Sequence, residues 1–177
     1  MNRRLLFVSF FVMTICSYRV KANHIWGGEI QVDVLKPDTF VVMMTVFREC
    51  GGAQTDSTET IAFYSYGCSP VKSANATIHL RKTDKADFIC ADSMSSCAGG
   101  TFPYGIQARI YIDTFYTAQL FPSGVSCCDL FVFYESCCRN AQVSPPFPGK
   151  FHFETKSNRC IQNRAPRFTN YPKFVIK

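Results

Sequence analysis

The sequence has no Cys-x-x-Cys pair, only three histidines, and no later run long and apolar enough to span a bilayer. Without CxxC, the usual redox dithiol and the usual zinc half-site are both missing. With 10 glycines and 9 prolines in 177 residues, the composition is not that of a disordered chain. No stretch carries the helical period of apolar residues with caps at its ends, and no segment repeats another.

What is plentiful is cysteine and phenylalanine, with 10 and 17 residues, and the dominant period is two. The N-terminus sets the context for the cysteines. Met1-Asn2-Arg3-Arg4 is a short basic head, and Leu5 to Cys16 is an uncharged, mostly apolar run of twelve residues. A membrane span needs about 20 residues, so this run fits the apolar region of a signal peptide. Small residues at Val20 and Ala22 place the cleavage after Ala22. Cys16 as a lipidated residue is disfavoured, because Met13-Thr14-Ile15 lacks the small side chain that such processing needs. The expected organisation is a signal peptide over residues 1–22 and one domain over 23–177, of about 155 residues, ample for a core.

Cleavage removes Arg3, Arg4, Arg19 and Lys21 from the 19 basic residues, leaving 15 against 13 acidic ones, a balance of +2. So small a charge argues for neither nucleic acid nor an anionic membrane as partner. The basic residues near the end (Arg159, Arg164, Arg167, Lys173, Lys177) read as a solvated tail.

Nine cysteines then remain: Cys50, Cys68, Cys90, Cys97, Cys127, Cys128, Cys137, Cys138 and Cys160. In an exported chain they default to disulfides, and an odd number leaves at least one over. Adjacent cysteines on a strand point to opposite faces, so Cys127-Cys128 and Cys137-Cys138 suit separate bridges better than one metal ion. Cys90 and Cys97 lie in one long loop and are expected to close it together.

Alternation marks the strands. Glu29 to Leu35 alternates, Lys36-Pro37-Asp38-Thr39 has turn chemistry, and Phe40 to Phe47 is rich in β-branched and aromatic residues, so the pair reads as a hairpin. Further strands are expected at Glu59–Tyr66, Ala76–Lys82, Ile106–Tyr116, Asp129–Glu135 and Phe151–Thr155. Leu130-Phe131-Val132-Phe133-Tyr134 reads as a strand buried on both faces. Phe88 to Tyr104, Leu120 to Ser126 and the proline-rich Val143 to Gly149 read as loops. Seven or eight short strands with frequent turns predict an all-β fold, an antiparallel Ig-like β-sandwich braced by disulfides.

Candidate chemistry is sparse. His79 and His152 sit in strand patterns, where a histidine is more often packed or solvated than a base. His24, second in the mature chain, could chelate copper with the new amino group, but an ordinary terminal residue is the simpler assignment. Glu29, Asp129 and Glu135 are strand carboxylates expected to face solvent, although a glycosidase pair needs only the right spacing in the fold. Asp84, Asp87 and Asp92 do not follow a calcium-loop pattern. Asn75-Ala76-Thr77 is a glycosylation sequon. The expectation is a chain with no catalytic residues, no cofactor and no metal.

Several motifs carry a resemblance. His24-Ile25-Trp26-Gly27-Gly28-Glu29-Ile30, Val46-Phe47-Arg48-Glu49-Cys50-Gly51-Gly52, Phe102-Pro103-Tyr104-Gly105-Ile106, Cys127-Cys128-Asp129-Leu130-Phe131, Cys137-Cys138-Arg139-Asn140 and Ala165-Pro166-Arg167-Phe168-Thr169-Asn170-Tyr171-Pro172 follow in order. Together they resemble an N-terminal domain of large Bacteroidetes surface proteins of the gliding-motility-associated and PKD-repeat kind, many exported by the type IX pathway. The resemblance implies a bacterial host, in which the sequon is silent, and a non-catalytic surface or periplasmic module related to gliding and adhesion. A partner would be a protein or a surface glycan. Leu130 stands where the family has tryptophan. Cys128 stands where the family has another residue, which makes it the candidate odd thiol and a route to a disulfide-linked dimer. The relatives continue into further modules and a sorting domain, whereas this sequence stops at Lys177, as expected of a stand-alone relative or the stub of a split reading frame. Locally, Trp26 is expected to anchor the first strand to the core. Gly27 and Gly28 would permit a positive φ or a close backbone approach. Arg139 and Asn140 would bond loop backbone or a partner. The runner-up class is an extracellular carbohydrate-binding or carbohydrate-active protein.

Overall fold

A computed structural model describes residues 25–51, 55–86, 94–101, 105–124, 127–136, 150–164 and 166. The expected leader, His24, Cys90, Cys137, Cys138, Arg139 and Asn140 lie outside these residues. The alternating segments form seven strands: β1 Ile25–Lys36, β2 Thr39–Glu49, β3 Thr58–Ser65, β4 Lys72–Lys85, β5 Ile106–Tyr116, β6 Asp129–Ser136 and β7 Phe151–Asn158. A single helical turn, α1 Thr117–Leu120, follows β5 and precedes the loop expected from Leu120. Among the described residues no helix is long and apolar enough to cross a membrane.

All pairings are antiparallel, in the order β1-β2-β5-β4-β3-β6-β7. Split at β4, this is the ABED and CFG order of an Ig constant-type sandwich. Two separate sheets were expected, and instead one continuous sheet folds over on itself. The cause is β4, longer than its apolar pattern suggested. Its first part, from Lys72 to His79, pairs with β3, and its second, from Leu80 to Lys85, pairs with β5. The irregularity lies between Leu80 and Lys82.

Asp113 of β5 sits at that handover. Its Oδ2 accepts from the His79 backbone N–H at 2.7 Å and lies 2.6 Å from His79 Nδ1, and its other oxygen pairs with Arg81 Nη2. The Leu80 N–H, next along, donates to Ser57 O at 2.8 Å. A strand changing partners leaves backbone donors without a ladder acceptor, and here Asp113 and Ser57 supply them. Burial alone would raise the Asp113 carboxyl, but the hydrogen bonds from His79 and Arg81 outweigh it and hold it below the usual carboxylate range.

The folded sheet encloses one main core. Phe40 and Phe115 from one half meet Phe63 from the other at 5.8 and 5.0 Å between ring centroids. Ile30, Val32, Val42, Met44, Ile61, Ile78, Leu130 and Val132 fill the rest. Leu130 occupies its expected core position at 0% exposure. Trp26 packs elsewhere, against a smaller cluster of Phe47, Ala86, Ile106 and Ala108.

Among the described residues three disulfides close the ends: Cys50–Cys97, Cys68–Cys127 and Cys128–Cys160, with Cα separations of 5.3, 5.1 and 5.2 Å. Two expectations are corrected. Cys97 reaches the end of β2 and not Cys90, because its 3-10 turn, Ser96–Ala98, lies beside Gly105, whose carbonyl bonds Cys50 N–H. Cys128 is not an odd thiol, and the disulfide-linked dimer loses the cysteine proposed for it. The neighbouring sulfurs diverge: Cys127 staples β6 towards the β3 side, and Cys128 staples it towards the end of β7. Arg159, read as part of a solvated tail, is also corrected. It is 8% exposed, donating from Nε to Cys127 O at 2.8 Å and from Nη1 to Pro37 O at 3.1 Å. It ties the β1–β2 turn to the stapled end.

The outermost strands, β1 and β7, come together at Gly28. A Cβ there would lie 2.7 Å from two ring carbons of Phe153 and from Thr45 O. Close approach, not a positive φ, is the reason for glycine at this position. At Gly27 the nearest atom would be Phe47 Cδ2 at 3.9 Å. Gly28→Ala should therefore cost about 1–3 kcal/mol in overpacking, while Gly27→Ala should change stability by less than about 0.5 kcal/mol. Urea midpoints of the two variants check this, and equal losses would show that the β1–β7 seam is not the tight point.

Candidate binding face

Each half of the sheet has an outer face. On β3, β6 and β7 the register sets the neighbours: Tyr64 opposes Phe131, which opposes Lys156, and Ala62 opposes Phe133, which opposes Glu154. One row further, Glu135 opposes His152, and on the other side Asp129 opposes Asn158. Directly opposed residues share a face, so an aromatic patch covers the outside of this half.

The rings form a ladder. Tyr66 stacks on Tyr64 at 5.4 Å and 10° between planes, and Tyr64 stacks on Phe133 at 5.1 Å and 21°. Phe133 meets the His152 ring at 5.5 Å, and Phe131 meets Tyr66 edge-on at 5.0 Å. Lys156 Nζ lies 5.0 Å over the Phe131 ring. Tyr66 is 55% exposed, and Tyr64, Phe131 and Phe133 are half-buried. The charged rim is internally paired: His152 lies 3.4 Å from both Glu135 and Glu154, Lys150 lies 3.3 Å from Glu135, and Lys156 lies 3.6 Å from Asp129. Lys150 and His152 hold the Glu135 carboxyl below its usual range.

This face corrects the reading of Leu130 to Tyr134 as buried on both sides. Leu130, Val132 and Tyr134 enter the core, whereas Phe131 and Phe133 turn outward and shield each other through the ladder. The run is apolar throughout, so its two faces cannot be told apart by composition. The clue was the matching i, i+2 aromatics on another strand, Tyr64 and Tyr66.

A second cluster lies inside the sandwich, towards the Cys50–Cys97 end. Arg48 and Arg109 are 4% and 8% exposed. Arg109 donates to Tyr111 Oη at 3.3 Å and to Asp56 O at 3.1 Å. Arg48 donates to Cys50 O at 3.2 Å. Tyr111 Oη lies 3.0 Å from Asp56 O and 3.2 Å from Thr55 Oγ1. Tyr134 Oη donates to Glu59 Oε2 at 3.1 Å. Burial, then the charge of Arg109, lowers the Arg48 pKa, and burial pushes Tyr134 up. These contacts tie the β2–β3 connection to β5, and their hydrogen bonds run between the groups of the cluster and nearby backbone, as in structural polar networks.

The remaining candidates are scattered. Glu29 is half-buried beside Gln31 and Thr45 rather than solvent-facing, and burial raises its carboxyl. His79 is bound to Asp113, on the β4–β5 side. Asp84 pairs with Lys82 at 2.7 Å, while Asp87 and Asp92 lie outside the described residues. No three His, Cys, Asp or Glu side chains converge as a metal site among the described residues. The described cysteines are all bridged, so neither His79 nor His152 adjoins a described free thiol. An open cleft of about 370 Å³ beside α1 is lined by Ala74, Thr77, His79, Asp113, Phe115 and Leu120, and its carboxylate is already held by His79 and Arg81.

Glu59 offers a direct check on the interior cluster. Burial raises its carboxyl, against the pull of the Tyr134 hydroxyl. A carboxyl raised in the fold stabilises it while protonated, and that contribution is lost as pH rises through the folded value. Wild type should therefore lose stability relative to Glu59→Gln as pH climbs from about 4 to 7. Urea midpoints across that range test it; a flat or opposite trend would mean that Glu59 ionises at least as easily folded as unfolded.

Compared with known proteins, the chain matches no family model, no curated protein and no solved structure.

Proposed function

We propose that this protein is an exported, non-catalytic interaction module that meets its partner through the aromatic face of β3, β6 and β7. The observation that carries this is the ladder of Tyr66, Tyr64, Phe133 and His152 on an outer sheet face, with Tyr66 more than half exposed. Exposed aromatic patches rimmed by polar residues mark contact sites. Tyrosine gives large, rigid, amphipathic contact area at little entropic cost. Export to the cell surface or periplasm is supported by the basic-apolar N-terminus and by three disulfides, which persist in oxidising compartments. The motif order from His24 to Pro172 supports kinship with the gliding-associated surface proteins, and with it an adhesive or platform role.

A glycan is the second reading, since sugars lie flat on aromatic faces and Glu135, His152 and Glu154 could bond hydroxyls. The ladder argues against it. Its planes stack on one another within 10° and 21°, so the rings turn edges and hydroxyls outward rather than faces. A protein surface packs against edges as readily as against faces, and we favour a protein partner.

Photo-crosslinking tests the face. Tyr66→p-benzoylphenylalanine in the full exported protein, in cells that make it, should give adducts under light. The same replacement at Thr114, exposed on the other half of the sheet, should not. Adducts from position 114 alone, or from neither, would defeat the assignment.

A further inference from the structure

We infer that the partner of this face is a second copy of the same chain, packed face to face about a two-fold axis that lies in the contact plane and runs across the strands. The inference rests on the aromatic face being the contact surface, and goes further by naming what covers it. A two-fold contact must be self-complementary: if residue i meets j, then j meets i. The register gives two central rows, Tyr64-Phe131-Lys156 and Ala62-Phe133-Glu154. An axis between them exchanges the rows.

Under that exchange Lys156 meets the Glu154 of the other copy, twice. Phe131 meets Phe133, twice. Tyr64 meets Ala62, so a large side chain falls on a small one in both directions. One row out, Tyr66 faces Thr60, and Asn158 faces His152. The one like-charged meeting is Asp129 with Glu135, and each has a cation of its own chain, Lys156 at 3.6 Å and Lys150 at 3.3 Å. The two central rows, nearest the axis, decide the fit, and Tyr66, 55% exposed, reaches across from the rim of the contact.

The other in-plane axis fares worse. Placed along β6, it sets Glu154 over Ala62 with no cation to meet it, at the cost of desolvating a carboxylate. The face thus combines size and charge complementarity to itself in one orientation. Such a dimer would need no free thiol.

Sedimentation velocity of the secreted, leader-cleaved protein over a concentration series tests the dimer. Wild type should show a reversible dimer that runs as a monomer on a non-reducing denaturing gel. Lys156→Glu and Glu154→Lys, each setting like charges together twice, should weaken association at least about tenfold. The double variant carrying both should recover most of it. Tyr66→Ala should also weaken association while leaving the thermal midpoint near wild type. A wild type that stays monomeric at about 100 μM, well above the μM dissociation constants of ordinary interfaces, would overturn the inference. So would a dimer indifferent to the single charge reversals. Crosslinks from position 66 separate the two claims: an adduct of twice the chain mass supports the dimer, an adduct of another mass overturns it while leaving the contact face standing, and no adduct defeats both.

Discussion

The fold depends on one handover, the transfer of β4 from β3 to β5 between His79 and Leu80. A strand can belong to two half-sheets only if the backbone groups stranded at the switch find acceptors. Asp113 provides this from β5, accepting from the His79 amide and gripping the His79 and Arg81 side chains. Because the sheet continues through β4, its two halves cannot separate as independent layers. They fold over the Phe40, Phe63 and Phe115 cluster, and the outermost strands β1 and β7 are brought together at Gly28.

The disulfides act on what the handover leaves open. β6 pairs with β3 over only three residue pairs, Ala62 to Tyr64. That short ladder would be the weak seam of the half that carries the aromatic face. Cys127 and Cys128 lie just before β6 and tie it in both directions, and Arg159 adds hydrogen bonds across the same end. A disulfide is worth about 2–4 kcal/mol, mainly by constraining the unfolded chain. Two bridges at one strand end fix the level of Phe131 and Phe133 relative to Tyr64. The ladder therefore holds its shape without being buried.

Strand existence and the first hairpin were legible because period two is a local signal, and the all-β class follows from it. What was illegible is set by partners distant in sequence. Asp113 looks like any strand carboxylate until β4 lies beside it. Arg159 looks like tail charge until Pro37, more than a hundred residues away, offers its carbonyl. The Cys90–Cys97 pairing was guessed from nearness in sequence, whereas the bridge follows nearness of the Cys50 end of β2 to the 3-10 turn. Adjacent Cys127 and Cys128 enter separate bridges, as their adjacency suggests, but which partner each takes is not local information. The aromatic face was hidden for a related reason: Phe131 and Phe133 interrupt no pattern, and only the cross-strand register shows that they point away from the core.

The motifs that carry the family resemblance and the residues of the aromatic face do different jobs. Gly28 admits Phe153, Cys50 and Cys127 close loops, Arg48 bonds the Cys50 carbonyl, and Leu130 fills the core. These are scaffold tasks. Of the face, only Asp129 and Phe131 fall within a motif; Tyr64, Tyr66, Phe133, His152, Glu154 and Lys156 all lie outside. A shared scaffold does not transmit a partner, because function resides in the site placed on it. The proposed kinship with adhesive surface proteins would therefore bear only on where this chain works and how it is held together. On the proposed reading, what it touches is decided by side chains that the resemblance does not reach, the ones whose size and charge alternate to fit their own image.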